Sequence, residues 1–239
     1  MKSKTHLMRS ILFLATLILP SIVTGQESRP INCRFLSFGG GEEEIISALS
    51  LSDKGAEIVC PLPSDQLSQK VVCFAKNNTI GFLTAADKTP MAAAAIPPGF
   101  DSVLLVFVQA RQAAEAGSAT PWRVLVIEDS PKNFPDGGAF VANFNPKEVR
   151  FIIGEHKGML RAAGSHGYAR PAERDAFNMS TVMFEFLDND KWRIANESAL
   201  RFLPGMRYLI FAYTDPVSGR PRINTYQDFA PPAPSRAAP

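Results

Sequence analysis

Cys33, Cys60 and Cys73 are the only cysteines of this 239-residue chain, and all three fall in its first third. In an oxidising compartment a pair of them is expected to bridge where geometry permits. Cys60 and Cys73 sit at the facing ends of two apolar runs around "PLPSDQLSQKVV" and are the preferred pair. Closing a loop of that size is worth ~3 kcal/mol in the chain-entropy model. The competing reading is three buried thiols that pack as small hydrophobes. In either case an odd cysteine stays unpaired or pairs between chains. No cysteine lies in a recognisable nucleophile setting.

Other chemistry-bearing residues are sparse. His156 and His166, with Glu155 beside them, are spaced like no standard metal-ligand set, so two loop histidines are the expectation. No Gly-x-Ser-x-Gly occurs. "FGGGEEE" from Phe38 has glycines but no lysine and no helix signal after it, so it fails as a phosphate loop. Its glutamates and Asp53 lack the spacing of an EF-hand. Trp122, Tyr168 and Trp192 could stack on a sugar ring if one groove gathered them, although tryptophans on β-patterned strands are more often packing residues. Paired carboxylates for glycoside hydrolysis would come from distant segments and leave no local signature. "NNT", "NMS" and "NES" from Asn77, Asn178 and Asn196 fit the glycosylation pattern but are expected to be silent. The sequence therefore assigns no catalytic, cofactor-binding or metal-ligating residue and points away from an enzyme.

The elements that would position these residues start after an expected leader. Lys2, Lys4 and Arg9 precede the apolar run Ile11 to Val23, which is shorter than the ~20 residues needed to span a bilayer. Cleavage after Gly25 would put compact residues at the two positions signal peptidase inspects. The expectation is a secreted or periplasmic protein, with no membrane span after cleavage. The leader carries three positive charges and no acid, so the net charge of +2 falls to −1 without it. Residues 26–130 are net −4 and residues 131–239 net +3, with no concentrated basic patch. A nucleic-acid partner is not supported.

Runs of four to eight residues rich in Val, Ile, Phe and Leu recur along the chain, separated by Gly, Pro, Asn and Asp. "FLDNDKW" from Phe186 reads as a hairpin turn. Helical signal is confined to "FVQARQAAEAGS" from Phe107, a short helix or a loop. The chain also repeats itself. "PGFDSVLLVFVQA" from Pro98 returns as "PGMRYLIFAYTD" from Pro204. Phe35 aligns with Phe140, "VVCFAKNNTIGFL" from Val71 with "TVMFEFLDNDKWRI" from Thr181, and "WRVLVIEDS" from Trp122 with "PRINTYQDF" from Pro221. Four pairs in one order suggest duplication of an all-β, Ig-like β-sandwich. The expected plan is a signal peptide (1–25), two tandem sandwiches (26–130 and 131–229) and a Pro/Ala-rich tail (230–239). Pairing the two units would bury apolar surface beyond either core.

The leader, the strand after Pro-Gly and "DSPKNFPDGGAFVANFNPKEVRFIIGEHKGML" from Asp129 together resemble a group of uncharacterised secreted bacterial proteins of planctomycete and verrucomicrobial type. More distantly the chain is similar to the DUF4397 class of extracellular Ig-like domains. The resemblance implies fold and location and carries over no activity. The functional expectation is a non-enzymatic cell-envelope scaffold or interaction module, with an envelope protein or polysaccharide as partner and no cofactor. The alternative is a carbohydrate-binding or carbohydrate-active extracellular protein.

Overall fold

The computed structural model describes residues 28–39, 46–109, 122–215 and 218–229. The expected leader, the helix-prone stretch from residue 110, most of the Gly/Glu turn and the Pro/Ala-rich tail lie outside the described residues. Among the described residues the chain is all-β. Eight strands come first: β1 (Ser28–Phe38), β2 (Ser47–Leu51), β3 (Glu57–Pro61), β4 (Val71–Lys76), β5 (Thr79–Thr84), β6 (Pro90–Ala95), β7 (Ser102–Gln109) and β8 (Trp122–Glu128). Eight more follow: β9 (Ala139–Asn143), β10 (Val149–Ile153), β11 (His156–Leu160), β12 (Ser165–Tyr168), β13 (Met179–Asp188), β14 (Lys191–Arg201), β15 (Met206–Thr214) and β16 (Pro221–Phe229).

The two sets of strands pair in the same way. The first runs β4-β1-β7-β8 in one sheet and β3-β2-β5-β6 in the other; the second runs β12-β9-β15-β16 and β11-β10-β13-β14. Counted from one in each set, both are 4-1-7-8 over 3-2-5-6. The first and seventh strands are parallel in both, β1 with β7 and β9 with β15. Each sandwich has eight strands, and this order differs from the ABED/CFG arrangement of constant immunoglobulin domains. In the first sandwich the two sheets stay joined through one ladder pair, Lys76 with Thr79. Asn77 and Asn78 make that turn at φ 49° and 59°. Positive φ at both central positions is what a type I′ hairpin needs, and asparagine tolerates it. Asn189 and Asp190, at 46° and 60°, make the expected turn between β13 and β14.

Both Pro-Gly pairs form the same reverse turn. Phe100 N donates to Pro97 O across Pro98-Gly99, and Met206 N to Leu203 O across Pro204-Gly205, each at 3.2 Å. Gly99 and Gly205 take φ of 87° and 80°, values an L side chain strains to adopt. Different partners fix the two turns: Arg29 donates to Phe100 O (2.7 Å) and Pro97 O (2.9 Å), whereas Asp136 accepts from Gly205 N (2.7 Å).

Each sandwich encloses its own core. In the first, Phe82 stands edge-on to Phe35 and Phe107 at 6.0 and 5.0 Å between centroids. In the second, Phe151, Phe184, Phe202 and Tyr208 fill the interior. A third cluster lies between the sandwiches, where the β4-β1-β7-β8 and β12-β9-β15-β16 sheets meet face to face. Leu104 and Val106 of β7 point into this seam while Val103, Leu105 and Phe107 point into the first core. β15 does the same, with Leu209 and Phe211 on the seam and Tyr208, Ile210 and Ala212 on the second core. Burial on both faces removes the polar half of the usual alternation. That is why these two stretches read as unbroken apolar runs and resemble each other.

Three details of the sequence alignment shift. Counted from the Pro-Gly turns, Val103 aligns with Leu209, but Val103 faces the first core and Leu209 the seam. Phe35 faces the first core and Phe140 the seam, so they are not equivalent. Leu36 opposes Val106 and Ala142 opposes Phe211, which makes Val141 the counterpart of Phe35. A one-residue slip exchanges the faces of a strand. The Val71 and Thr181 segments also differ in place: the first is β4-β5, passing from one sheet to the other, and the second is β13-β14, within one sheet.

Candidate interaction face

The cysteines cluster. Cys33 on β1, Cys60 on β3 and Cys73 on β4 are wholly buried thiols, and the sulfurs of Cys60 and Cys73 lie 3.8 Å apart. Cys33 Sγ donates to Ile31 O and Cys60 Sγ to Ile58 O, while either sulfur of the Cys60–Cys73 pair can donate to the other. The contacts with Cys33 and Cys60 hold the pKa of Cys73 down, and the contact with Cys73, followed by burial, pushes the other two up.

The histidines flank Tyr168 from different sheets. His156 opens β11 and His166 lies on β12, with ring centroids 5.7 and 4.7 Å from that of Tyr168. His156 Nε2 lies 3.1 Å from Ala169 O, so that nitrogen carries the hydrogen. Glu155 is occupied by backbone: it accepts from Ala172 N at 2.7 Å and Glu173 N at 3.2 Å. The Ala172 bond leads in drawing its pKa down to about 2. Among the described residues no three His, Cys, Asp or Glu side chains are placed to hold a metal ion.

The three aromatics named for sugar stacking do not share a groove. Trp122 is 4 % exposed and belongs to the first core. Tyr168 is half-buried against the second core. Trp192 lies on β14, at the outer sheet of the second sandwich, and Arg150 from β10 sets its guanidinium 4.0 Å from the indole centroid.

That outer sheet is the surface with mixed chemistry. The ladders align Met159, Arg150, Glu185 and Ile194 in one row across it, and Lys157, Ile152, Met183 and Glu197 in the next. Met159 is 52 % and Ile194 55 % exposed. Arg150, Lys157, Met159, Met183 and Glu185 line a shallow depression at its centre. β13 and β14 reach this length because their tight turn keeps them paired, with one register shift between Phe184 and Glu185. The matching face of the first sandwich differs: Val59, Leu49 and Leu83 lie in an apolar row beside Gly81 and Ala93, with Glu57, paired to Lys88, in the next row.

Sequence reading singled out Trp192 and missed Arg150, Met159 and Ile194. Lys191-Trp192-Arg193-Ile194 alternates strictly, as a strand with one core face would, so no local signal marked Trp192 and Ile194 as lying on the outer face. No family model matches the chain, and no curated protein matches it.

Proposed function

We propose that the protein is an exported, non-enzymatic interaction module of the cell envelope, which docks a partner protein on the outer sheet of its second sandwich. The observation that carries this reading is the Arg150–Trp192 stack beside exposed Met159 and Ile194. Tryptophan and arginine dominate binding hot spots, and methionine adapts its shape to a partner. The charges of Lys157, Glu185 and Glu197 around them would set orientation more than strength. The seam between the sandwiches supports a rigid scaffold, because it ties the two units through apolar packing and ion pairs. Export is supported by the leader pattern of residues 1–25.

The test is crosslinking in intact source cells with the wild type and Trp192→Ala. One reproducible protein partner is expected, with recovery falling about 30-fold in the variant, the equivalent of 2 kcal/mol. Recovery that is unchanged in the variant removes this face from the reading. Material from outside the cytoplasm should begin at Gln26, as N-terminal sequencing would show. A carbohydrate reading would rest on Trp192 and half-buried Tyr168, which share no groove, since Trp122 is enclosed. Polysaccharide in place of protein among the crosslinked products would favour it.

A further inference from the structure

We propose that Cys60 and Cys73 form an intramolecular disulfide that clasps the open edge of the first sandwich, leaving Cys33 as a shielded thiol beside it. β3 is the end strand of its sheet, and β4 is the end strand of the other apart from its single ladder pair with β5. No ladder joins β3 to β4, so the sheets are tied along this edge only by the chain between these strands and by the single Lys76–Thr79 pair at the β4-β5 turn. Cys60 and Cys73 lie across this gap with their sulfurs 3.8 Å apart. The second sandwich closes the matching edge differently. Cys60 opposes Ala48 on the core side of β3, and Leu160 opposes Val149 on the core side of β11. A leucine there packs; a cysteine can bond.

The geometry also selects which pair. Cys33 touches Cys73 as well, but on adjacent strands: Cys73 opposes Ile31, and Cys33 opposes Val71. The two are therefore diagonal neighbours on one ladder. Diagonal positions are about 7–8 Å apart, somewhat less between Cβ atoms, whereas a disulfide holds its Cβ atoms at about 3.5–4.5 Å. Cys60 approaches from the opposite sheet and is free of that constraint.

The bond requires an oxidant, here a disulfide of the extracytoplasmic compartment, and the sulfurs are covered once the sandwich closes. Oxidation therefore precedes closure. The Cys73 thiolate attacks one sulfur of the oxidant, forming a mixed disulfide and expelling the first thiolate. The Cys60 thiolate then attacks the Cys73 sulfur and expels the second. The protons lost by the two cysteines go to the two departing sulfurs, so one disulfide is reduced as one is made. Either cysteine can make the first attack, because before closure both thiols reach the oxidant, and the product is the same. Only the natural source of the oxidant rests on the proposed export, and the experiment supplies its own.

Trypsin separates the three sulfurs, because cleavage after Lys54, Lys70 and Lys76 puts Cys60 and Cys73 in different peptides and cleavage after Arg34 isolates Cys33. The full mature chain is refolded with oxidised and reduced glutathione, alkylated before and after unfolding, and digested. The expected product is the Gly55–Lys70 peptide linked to Val71–Lys76, with Cys33 alkylated only after unfolding. Cys33→Ala should keep the link, and its reduction should lower the urea midpoint. Three alkylatable thiols after unfolding, or a linked peptide that contains Cys33, would overturn the proposal.

Discussion

Arg34 and Asp228 stand 194 positions apart in the chain and meet as a two-pronged ion pair, at 2.6 and 3.1 Å, in the seam between the sandwiches. Asp228 is 3 % exposed and also accepts from Arg207, at Nη2 (2.5 Å) and Nε (3.2 Å). Arg207 turns its Nη1 to Asp129 at 2.9 Å and lies 4.0 Å over the ring of Phe134. Two arginines and two aspartates thus balance in a place that water scarcely reaches. Such pairs are costly to leave half-made.

Asp228→Ala is expected to lower stability by about 3–5 kcal/mol, since it strands two buried guanidinium groups without their shared anion. Urea unfolding measures the loss. Adding Arg34→Met to that variant should recover part of it, because one stranded charge is removed. A double variant no more stable than Asp228→Ala would mean that Arg34 finds solvent by itself.

Phe38 holds the seam by aromatic contact. Its ring lies 5.1–5.3 Å from those of Tyr213, Phe211 and Phe144. Phe38→Ala should cost about 3–5 kcal/mol through the cavity it leaves. Both sandwich cores stay intact in this variant, so calorimetry should show two transitions where the wild type shows one.

Asn143 is buried, and its Nδ2 faces the carbonyls of Lys147, Leu160 and Arg161 at 2.9–3.1 Å while its Oδ1 accepts from Asn145 N. Asn143→Ala is expected to cost about 1–3 kcal/mol through unpaired backbone groups. Asn143→Asp should cost more, because it turns an acceptor towards three acceptors. A smaller loss in the aspartate variant, read from urea midpoints at neutral pH, would contradict this pairing.

Burial raises the pKa values of Tyr168 and Tyr226 to about 12. Both groups favour the protonated form in the fold, so their contribution is fully present below pH about 10 and is lost as pH rises from about 10 to about 12. Alkaline titration should show their tyrosinate absorbance rising together with loss of the near-ultraviolet circular dichroism. Ionisation of both with the fold unchanged would show that the two hydroxyls reach solvent.

Several features were legible in the linear chain because they depend on near neighbours. Asn189-Asp190 foretold its turn, since backbone sterics act over two residues. The apolar runs at Val103–Val108 and Tyr208–Ala212 signalled strands, and the stacking of the sheets then showed why both of their faces are apolar. The Gly99 and Gly205 turns were visible as Pro-Gly pairs. Fold class followed from such local signals.

The rest depends on which strand lies beside which. A shift of one residue moves a side chain from core to seam, so Phe35 and Phe140 looked alike in order and face different surroundings. Arg34 and Asp228 show no sign of each other in the sequence, because sheet packing alone closes a separation of that length. The tryptophans put it most simply. Each precedes an arginine on a strand, as Trp122-Arg123 and Trp192-Arg193, and no local rule tells them apart. Trp122 points between two sheets and is enclosed, while Trp192 belongs to an outer sheet and stays in reach of a partner. Composition and spacing made this an all-β chain poor in catalytic groups; the stacking of its sheets decided which of its few aromatic and sulfur groups could act.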